Sequence, residues 1–334
     1  MKNKLVVLSL FLVLNFSLAP SIFSDDSKVQ SSVLNKSVSS VLSDSSSKEF
    51  VILAIKTVYR QVGFSPESIN GIIDVLFSHD EMDLEIVSKR LRTYIERTNF
   101  VTIYQKYKIG AYGRRFSLFQ RFVEGPLVAD IGCGSGDLSE AIIQNIPSVR
   151  KIIATDIKEY HKITNPLIEF KPQLQPDKIP IDSNVVDTAI LIYVLHHVEE
   201  RYQKNLLKEL HRILKKGGKV IILEDTYSNT LQPEYGRKLL KKFLKFDDKR
   251  KKEVLAFSDW LCNKVFEKLN IAMPYTFKSM EEWEDYFNKA EFYVKHKQFL
   301  GTLKNGLSLS PKGFFVLEKI SNLPNQEKLP AVSN

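Results

Sequence analysis

Three glycines at alternate positions lie between a predicted strand and a predicted helix. Residues 128–131 are predicted to form a buried strand, and Gly132, Gly134 and Gly136 follow it. Residues 137–143 then have apolar side chains at helical spacing. This order is typical of a ligand-binding turn, because glycine adopts positive φ readily and a helix N-terminus offers unpaired N–H groups to a ligand.

The spacing of the glycines narrows the class of ligand. It is G-x-G-x-G, whereas a dinucleotide site has G-x-G-x-x-G and a phosphate loop has Lys-Ser or Lys-Thr after its last glycine. Here Asp130 precedes the glycines and Asp137 follows them. Carboxylates are poor neighbours for a pyrophosphate but are compatible with a zwitterionic amino-acid group, which the turn therefore favours.

A second predicted strand, over residues 150–157, carries an acidic residue near its end. Asp156 comes roughly 20 residues after the first glycine, where a carboxylate can accept hydrogen bonds from both hydroxyls of a ribose. Ile157 would then lie against an adenine face. The alternative is that Asp156 is a loop residue or caps a helix.

A third predicted strand, over residues 188–192, ends at Tyr193 and leads to His196 and His197. Ligands of open α/β sheets bind at such carboxyl ends of strands. Paired histidines are candidates for a general base or for metal ligands. Because no third ligand follows at a usable spacing, we predict no metal site and favour packed histidines.

Four segments resemble, in order and spacing, the motifs of class I S-adenosylmethionine-dependent methyltransferases. They are D-I-G-C-G-S-G at residues 130–136, I-P-I-D at 179–182, L-H-H-V at 195–198 and R-I-L-K-K-G-G at 212–218. Each motif is weak alone, but the combination over roughly residues 128–224 is specific.

The resemblance implies an α/β fold with a doubly wound, mostly parallel, seven-stranded Rossmann-like sheet and an antiparallel edge strand. It implies S-adenosyl-L-methionine as cofactor, with the glycines at its methionine end, Asp130 supporting them, Asp156 on the ribose and Ile157 on the adenine. The implied cofactor-binding residues are Asp130, Gly132, Gly134, Gly136, Asp156, Ile157 and Tyr193. Either Asp177 or Gln175 would contact the adenine amine, and no catalytic residue is identified.

The composition of the 334 residues is that of a globular protein, with 43% hydrophobic and 26% charged residues. The two cysteines, Cys133 and Cys262, do not indicate a structural disulfide, because Cys133 lies inside the glycine turn. Lysines spread along the chain account for much of the net charge of +9, which therefore indicates nucleic-acid binding only weakly.

The N-terminus predicts a signal peptide or a signal anchor. Lys2 and Lys4 precede the apolar run 5–14, and small residues follow. Such a signal suggests export or membrane anchoring, whereas use of the cofactor suggests access to the cytoplasm. The serine-rich segment 25–48 contains no aromatic residue, and we expect a disordered linker there.

The rest of the chain divides into an N-terminal helical region, a methyltransferase domain and a tail. Residues 236–270 interrupt the domain as a predicted helical lid that carries a run of basic residues. Asp247 and Asp248 break this run, so nucleic acid is not a favoured partner. The remaining predicted boundaries are 49–125 for the helical region, 126–321 for the domain and 322–334 for the tail.

The sequence therefore predicts a methyltransferase that acts on a small, lipophilic acceptor. Membrane association would occur through the N-terminus or the basic lid. One alternative is a protein or RNA methyltransferase, which binding of polyanions to the lid would favour. Another is a non-catalytic, exported or membrane-anchored interaction protein that kept the fold, which the N-terminal signal would favour.

Overall fold

The computed structural model describes residues 36–77, 83–158, 163–269, 271, 273–302 and 306–320. Seven strands form one sheet in the order β3-β2-β1-β4-β5-β7-β6. The first five strands are parallel and the last two are antiparallel, which confirms the predicted sheet. The strands are β1 Leu127–Ile131, β2 Lys151–Asp156, β3 Ile168–Pro172, β4 Val186–Ile192, β5 Leu214–Asp225, β6 Phe292–Gly301 and β7 Lys312–Lys319.

Helices precede the sheet and lie between its strands. The α-helices are α1 over residues 36–43, α2 Ser45–Val62, α3 Pro66–Phe77, α4 Leu84–Glu96, α5 Phe100–Phe119, α6 Asp137–Asn145, α7 Glu200–Ile213, α8 Arg237–Phe243, α9 Asp248–Trp260 and α10 Met280–Lys289. Short 3₁₀ segments cover Gln120–Phe122 and Leu195–His197, and a π-helix over Leu261–Phe266 continues α9.

The central strands are buried on both faces. Side chains alternate between the faces of a strand. Accordingly, Ala129 and Leu191 belong to one apolar cluster, which includes the N-terminal helices and the insertion. Val128 and Ile190 belong to a second cluster with α6. Burial on both faces explains why these strands are continuous apolar runs in the sequence.

The strand order creates a crevice at the carboxyl end of β1. The neighbours of β1 are β2 on one side and β4 on the other, so the connections that leave β1 and β4 diverge. Ligands of doubly wound sheets bind at this kind of switch point. The predicted site residues lie at or directly after the carboxyl ends of β1, β2 and β4, and the topology therefore brings them to one edge of the sheet.

The N-terminal segment differs from the expected linker over residues 25–48 in the part that the structure describes. Residues from 36 onward are helical, and Val38 and Val41 of α1 are fully buried. Asp44 caps α2 by accepting a hydrogen bond from the backbone N–H of Ser47 at 2.8 Å. Here, serine-rich composition does not indicate disorder, because short polar side chains also cap helices.

The sequence pair Gly217-Gly218 predicts the C-terminus of a helix, but α7 ends earlier, at Ile213. Strand β5 begins at Leu214, which pairs with Val186 of β4. Gly217 has a φ of +71° within the irregular first part of this strand. The two glycines therefore form a bend in β5 and not the end of a helix.

Some basic residues of the insertion form ion pairs and hydrogen bonds within the protein. Lys251 is buried, and its ammonium donates to Asn229 at 2.7 Å and pairs with Asp248 at 3.0 Å. Lys252 pairs with Glu282 at 2.8 Å. These two lysines stabilise the packing of α9, and membrane association through this face stays a prediction.

The predicted signal at residues 1–24 and the tail at 322–334 lie outside the described residues. Within the described part of the chain, no helix combines the length and the apolar character needed to cross a membrane.

A buried polar pair joins β1 to α6. Asp130 is 2% exposed, and its carboxylate accepts a hydrogen bond from Ser139 Oγ at 2.6 Å. Burial raises the pKa of Asp130 to about 6, although the bond from Ser139 opposes the rise. The carboxylate is therefore costly to ionise in the folded protein.

We expect Leu191→Ala to lower the free energy of unfolding by about 2–5 kcal/mol, because it leaves a cavity in the central strand. Leu191 is fully buried, whereas Leu174 is 87% exposed. Leu174→Ala is therefore the matched control and should change stability by less than about 0.5 kcal/mol. Urea denaturation measures both, and equal effects would contradict the assignment of Leu191 to the core.

We expect Asp130→Asn to remove part of the pH dependence of stability. Between the ordinary pKa of 3.8 and the folded value of about 6, the folded protein holds a proton that the unfolded chain releases. Asp130 therefore makes stability fall as pH rises through this range, by up to about 3 kcal/mol. Asparagine stays neutral and still accepts a bond from Ser139.

Urea denaturation at pH 4.5 and pH 7.5 measures this effect. The decrease between the two values should be smaller in Asp130→Asn than in the wild type. Asp182→Asn, at an exposed aspartate, is the control and should retain the wild-type decrease. An unchanged decrease in Asp130→Asn would show that this carboxylate is not the source.

Candidate active site

The three glycines of the turn have different surroundings. All have positive φ, at +72° for Gly132, +53° for Gly134 and +78° for Gly136. A Cβ at Gly132 would lie 2.6 Å from Val194, and one at Gly136 would lie 2.6 Å from the side chain of Ile163. A Cβ at Gly134 would meet no protein atom within 4 Å. The first and third glycines permit close packing, while Gly134 leaves open space.

Asp156 holds the glycine turn in place through its carboxylate. Its Oδ2 accepts a hydrogen bond from the N–H of Gly134 at 2.9 Å, and its Oδ1 accepts one from the N–H of Lys158 at 3.0 Å. Each carboxylate oxygen can accept a second hydrogen bond. The group therefore stabilises the loop and retains acceptor capacity for two ligand hydroxyls.

A cavity of about 600 Å³ opens beside this turn. Five of the seven predicted site residues line it, namely Gly132, Gly134, Asp156, Ile157 and Tyr193. Asp130 does not line the cavity and forms a hydrogen bond with Ser139. Gly136 is the N-cap residue of α6, and no side chain caps the first N–H groups of this helix. Ile157 is 58% exposed and offers an apolar surface.

Tyr193 follows β4 with a φ of +60°, which is unusual for a residue other than glycine. Its N–H donates to the carbonyl of Leu223 at 2.8 Å, which fixes this conformation. The guanidinium of Arg115 lies 5.0 Å from the ring centroid and the ammonium of Lys312 lies 5.1 Å from it. Burial raises the pKa of Tyr193, while Lys312 and Arg115 oppose the rise.

Neither of the two predicted adenine contacts, Gln175 and Asp177, is among the residues that line the cavity. Gln173 and Pro176 do line it. Asp177, one of the two predicted contacts, is buried and accepts a hydrogen bond from Asn205 at 3.1 Å. The N–H of Gln173 donates to the carbonyl of Asp156 at 2.9 Å, which places Gln173 next to the ribose candidate.

The two histidines lie beside buried carboxylates. Glu224, at the end of β5, is fully buried, and its Oε2 lies 2.5 Å from Nδ1 of His196. Its Oε1 accepts hydrogen bonds from the N–H groups of Val194 and Leu195 at 2.9 and 2.7 Å. Glu224 therefore fixes both the turn after β4 and the orientation of the His196 ring.

Asp259, from α9 of the insertion, lies on the other side of the histidines. Its Oδ1 is 3.7 Å from Nε2 of His196 and 3.8 Å from Nε2 of His197. Burial lowers the pKa of His196, but Glu224 and Asp259 raise it more, so it lies well above its ordinary value. Burial raises the pKa of Asp259, but His197 and His196 lower it more.

A second buried pair was also missed by sequence reasoning. Lys312 of β7 forms an ion pair with Asp225 of β5, and both side chains line the cavity. Burial lowers the pKa of Lys312, but Asp225 and Tyr193 raise it more. Glu224 and Asp225 lie at the carboxyl end of β5, and this position could have identified them as candidates from the sequence. Nothing in the sequence of the insertion distinguishes Asp259.

Comparison with known proteins finds similarity over part of the chain. The family model described as a methyltransferase domain matches residues 129–222. Over 150 residues, the chain is 29% identical to the ubiquinone/menaquinone biosynthesis C-methyltransferase UbiE of Geotalea uraniireducens, an alignment that covers 42% of this chain and 63% of that protein.

A plant protein and a solved structure are also similar. The chloroplastic 2-phytyl-1,4-beta-naphthoquinone methyltransferase of Arabidopsis thaliana is 29% identical over 117 residues, which are 32% of this chain and 44% of that protein. The pyocyanin biosynthetic protein PhzM superimposes with a TM-score of 0.48 at 14% identity, over 83% of this chain and 74% of that one. Residues 129–222 are thus similar to a methyltransferase domain, and the chain spans less than two thirds of the length of these two relatives.

Proposed function

We propose that the chain is an S-adenosylmethionine-dependent methyltransferase that methylates a small, lipophilic acceptor. The observation that carries the proposal is the cavity wall formed by Gly134 and Asp156. There, a carboxylate with spare acceptor capacity lies beside a glycine whose missing side chain leaves open space. This arrangement fits a ribose that approaches the backbone closely.

The remaining cofactor contacts follow from the turn. The N-terminus of α6 offers N–H groups and a partial positive charge to the carboxylate of the methionine end. Asp130 supports the turn from below through α6. Ile157 offers its exposed apolar side chain to the adenine ring, and Gln173 replaces Asp177 and Gln175 as the candidate adenine neighbour.

Apolar side chains form part of the cavity wall and favour an apolar acceptor. Helix α5 contributes Tyr104, Tyr107 and Leu118, Leu269 comes from the end of the insertion, and Ile271 follows the insertion. Largely apolar walls with a few polar groups are typical of small-molecule sites. The relatives named for quinone methylation support an acceptor of quinone type, such as a lipophilic hydroquinone.

The chemistry required of the chain is mainly positioning. When bound, S-adenosylmethionine supplies a methyl group on a sulfonium, which is a good leaving group. The chain holds donor and acceptor in line and encloses them away from water, and such alignment accounts for much of the rate enhancement in a two-substrate reaction. Helix α5 and the insertion contribute lining residues to this enclosure.

We expect Asp156→Ala to weaken binding of both S-adenosylmethionine and S-adenosylhomocysteine by more than about 100-fold, because two charge-assisted hydrogen bonds are lost. Calorimetric titration of the full chain measures this change. Glu169→Ala removes a half-exposed carboxylate on the neighbouring strand β3 and should leave both affinities unchanged. Equal affinities in wild type and Asp156→Ala would contradict the ribose assignment.

We expect methyl transfer from labelled S-adenosylmethionine to a prenylated hydroquinone that lacks a ring methyl group. A lysine-rich peptide and a short RNA are the comparison acceptors in the same assay. Transfer to either polymer in place of the hydroquinone would favour the alternative of a protein or RNA methyltransferase. Cofactor binding without transfer to any of them would contradict the proposed acceptor class.

A further inference from the structure

We propose that His196, His197 and Asp259 bind one divalent transition-metal ion, with Zn²⁺ as the reference ion, in the wall of the cavity. One ligand atom from each residue lies within 4.8 Å of the other two. Two imidazoles and one carboxylate with an open fourth position are a donor set that zinc enzymes use. The three residues come from two distant parts of the chain, so the site exists only in the folded protein.

The distances between the ligand atoms suit a small adjustment around an ion. Nε2 of His196 and Nε2 of His197 lie 3.7 and 3.8 Å from Oδ1 of Asp259. Ligands that bind zinc tetrahedrally at about 2.0–2.1 Å are roughly 3.4 Å apart. The two distances to Asp259 would therefore shorten by only a few tenths of an ångström, while the ligand nitrogens of the two histidines lie within 4.8 Å of each other and would approach by about 1.4 Å at most.

Glu224 prepares His196 for this role. Its carboxylate takes the Nδ1 side of the ring at 2.5 Å, which leaves Nε2 directed toward Asp259. Histidines that bind metals usually donate their other ring N–H to a carboxylate or a carbonyl, which fixes the ring and raises its basicity. Backbone N–H groups of Val194 and Leu195 hold Glu224 itself, so the support does not depend on a mobile side chain.

Asp259 provides the independent observation that points to a missing partner. The side chain is 5% exposed, and Asn263 Nδ2 donates to its Oδ1 at 2.6 Å. Its Oδ2 is buried and has no hydrogen-bond partner among the described residues. A buried, unpaired carboxylate oxygen costs free energy, and a cation that Asp259 binds through both of its oxygens would remove that cost.

An ion at this position would face the ligand space. His196, His197 and Asp259 line the same cavity as Gly134 and Asp156. The fourth coordination position could therefore take a hydroxyl oxygen of the acceptor, a role that rests on the proposed function. The metal site itself does not, since its ligands are distinct from the cofactor-binding residues.

The test uses the full chain, stripped with a chelator and then titrated with Zn²⁺. We expect one zinc per chain by elemental analysis, and a visible absorption band of a four- or five-coordinate ion when Co²⁺ replaces Zn²⁺. His197→Gln and Asp259→Asn should each weaken Zn²⁺ binding by more than about 100-fold. Glu224→Gln should weaken it by about 10- to 100-fold, because it disturbs the support of His196 but leaves all three proposed ligands present.

Two matched controls show whether the loss is specific. Glu267→Gln changes another acidic residue of the same cavity, and His211→Gln changes a histidine at the end of α7. Both should keep one zinc per chain at wild-type affinity. Thermal melting of each variant in the absence of metal shows whether that variant is folded. His197 is partly exposed, so its substitution should be well tolerated.

Two results would overturn the proposal. One is a wild-type chain that binds no Zn²⁺, and the other is wild-type affinity in folded His197→Gln and Asp259→Asn. Titration of S-adenosylmethionine into the same samples separates this inference from the proposed function. Zinc binding without cofactor binding would refute only the function, and cofactor binding without zinc binding would refute only the metal site.

Discussion

The candidate active site depends on a carboxylate that is completely removed from water. Glu224 accepts two backbone hydrogen bonds from the turn after β4 and contacts His196 with its second oxygen. Burial of a carboxylate is costly unless several donors surround it, and here three donors converge on one group. The end of β5 therefore determines the course of the chain after β4, and with it the positions of Tyr193, the histidines and one wall of the cavity.

The cavity combines parts of the chain that are far apart in sequence. The sheet supplies the glycine turn and Asp156, helix α5 supplies aromatic side chains, and the insertion supplies Asp259 and its neighbours. These contributions differ in chemical character. The sheet edge provides backbone and carboxylate acceptors, whereas α5 and the insertion add an apolar wall with a few polar groups. Such a division suits a reaction in which the methyl donor is the same throughout a family and the methyl acceptor differs among its members.

The sequence was sufficient to predict the parts of the structure that local patterns specify. Strand β1, the glycines and Asp156 were predictable because a parallel strand, a positive φ and a strand-end carboxylate each restrict the residue types allowed. The disordered linker was a wrong expectation for residues 36–48, since helix capping and burial of Val38 and Val41 depend on tertiary packing. Asp259 could not be predicted as a neighbour of the histidines, because its position depends on how a separate insertion packs.

The packing of the N-terminal helices sets a limit on how far the protein can be shortened. Phe50 of α2 lies 5.7 Å from Phe243 of the insertion, measured between ring centroids, and Phe100 of α5 lies 4.7 Å from Phe266. A protein that began where the family match begins, at residue 129, would leave these aromatic surfaces in water. The recognisable domain is thus smaller than the unit that should be expressed, and the first residue should precede α1.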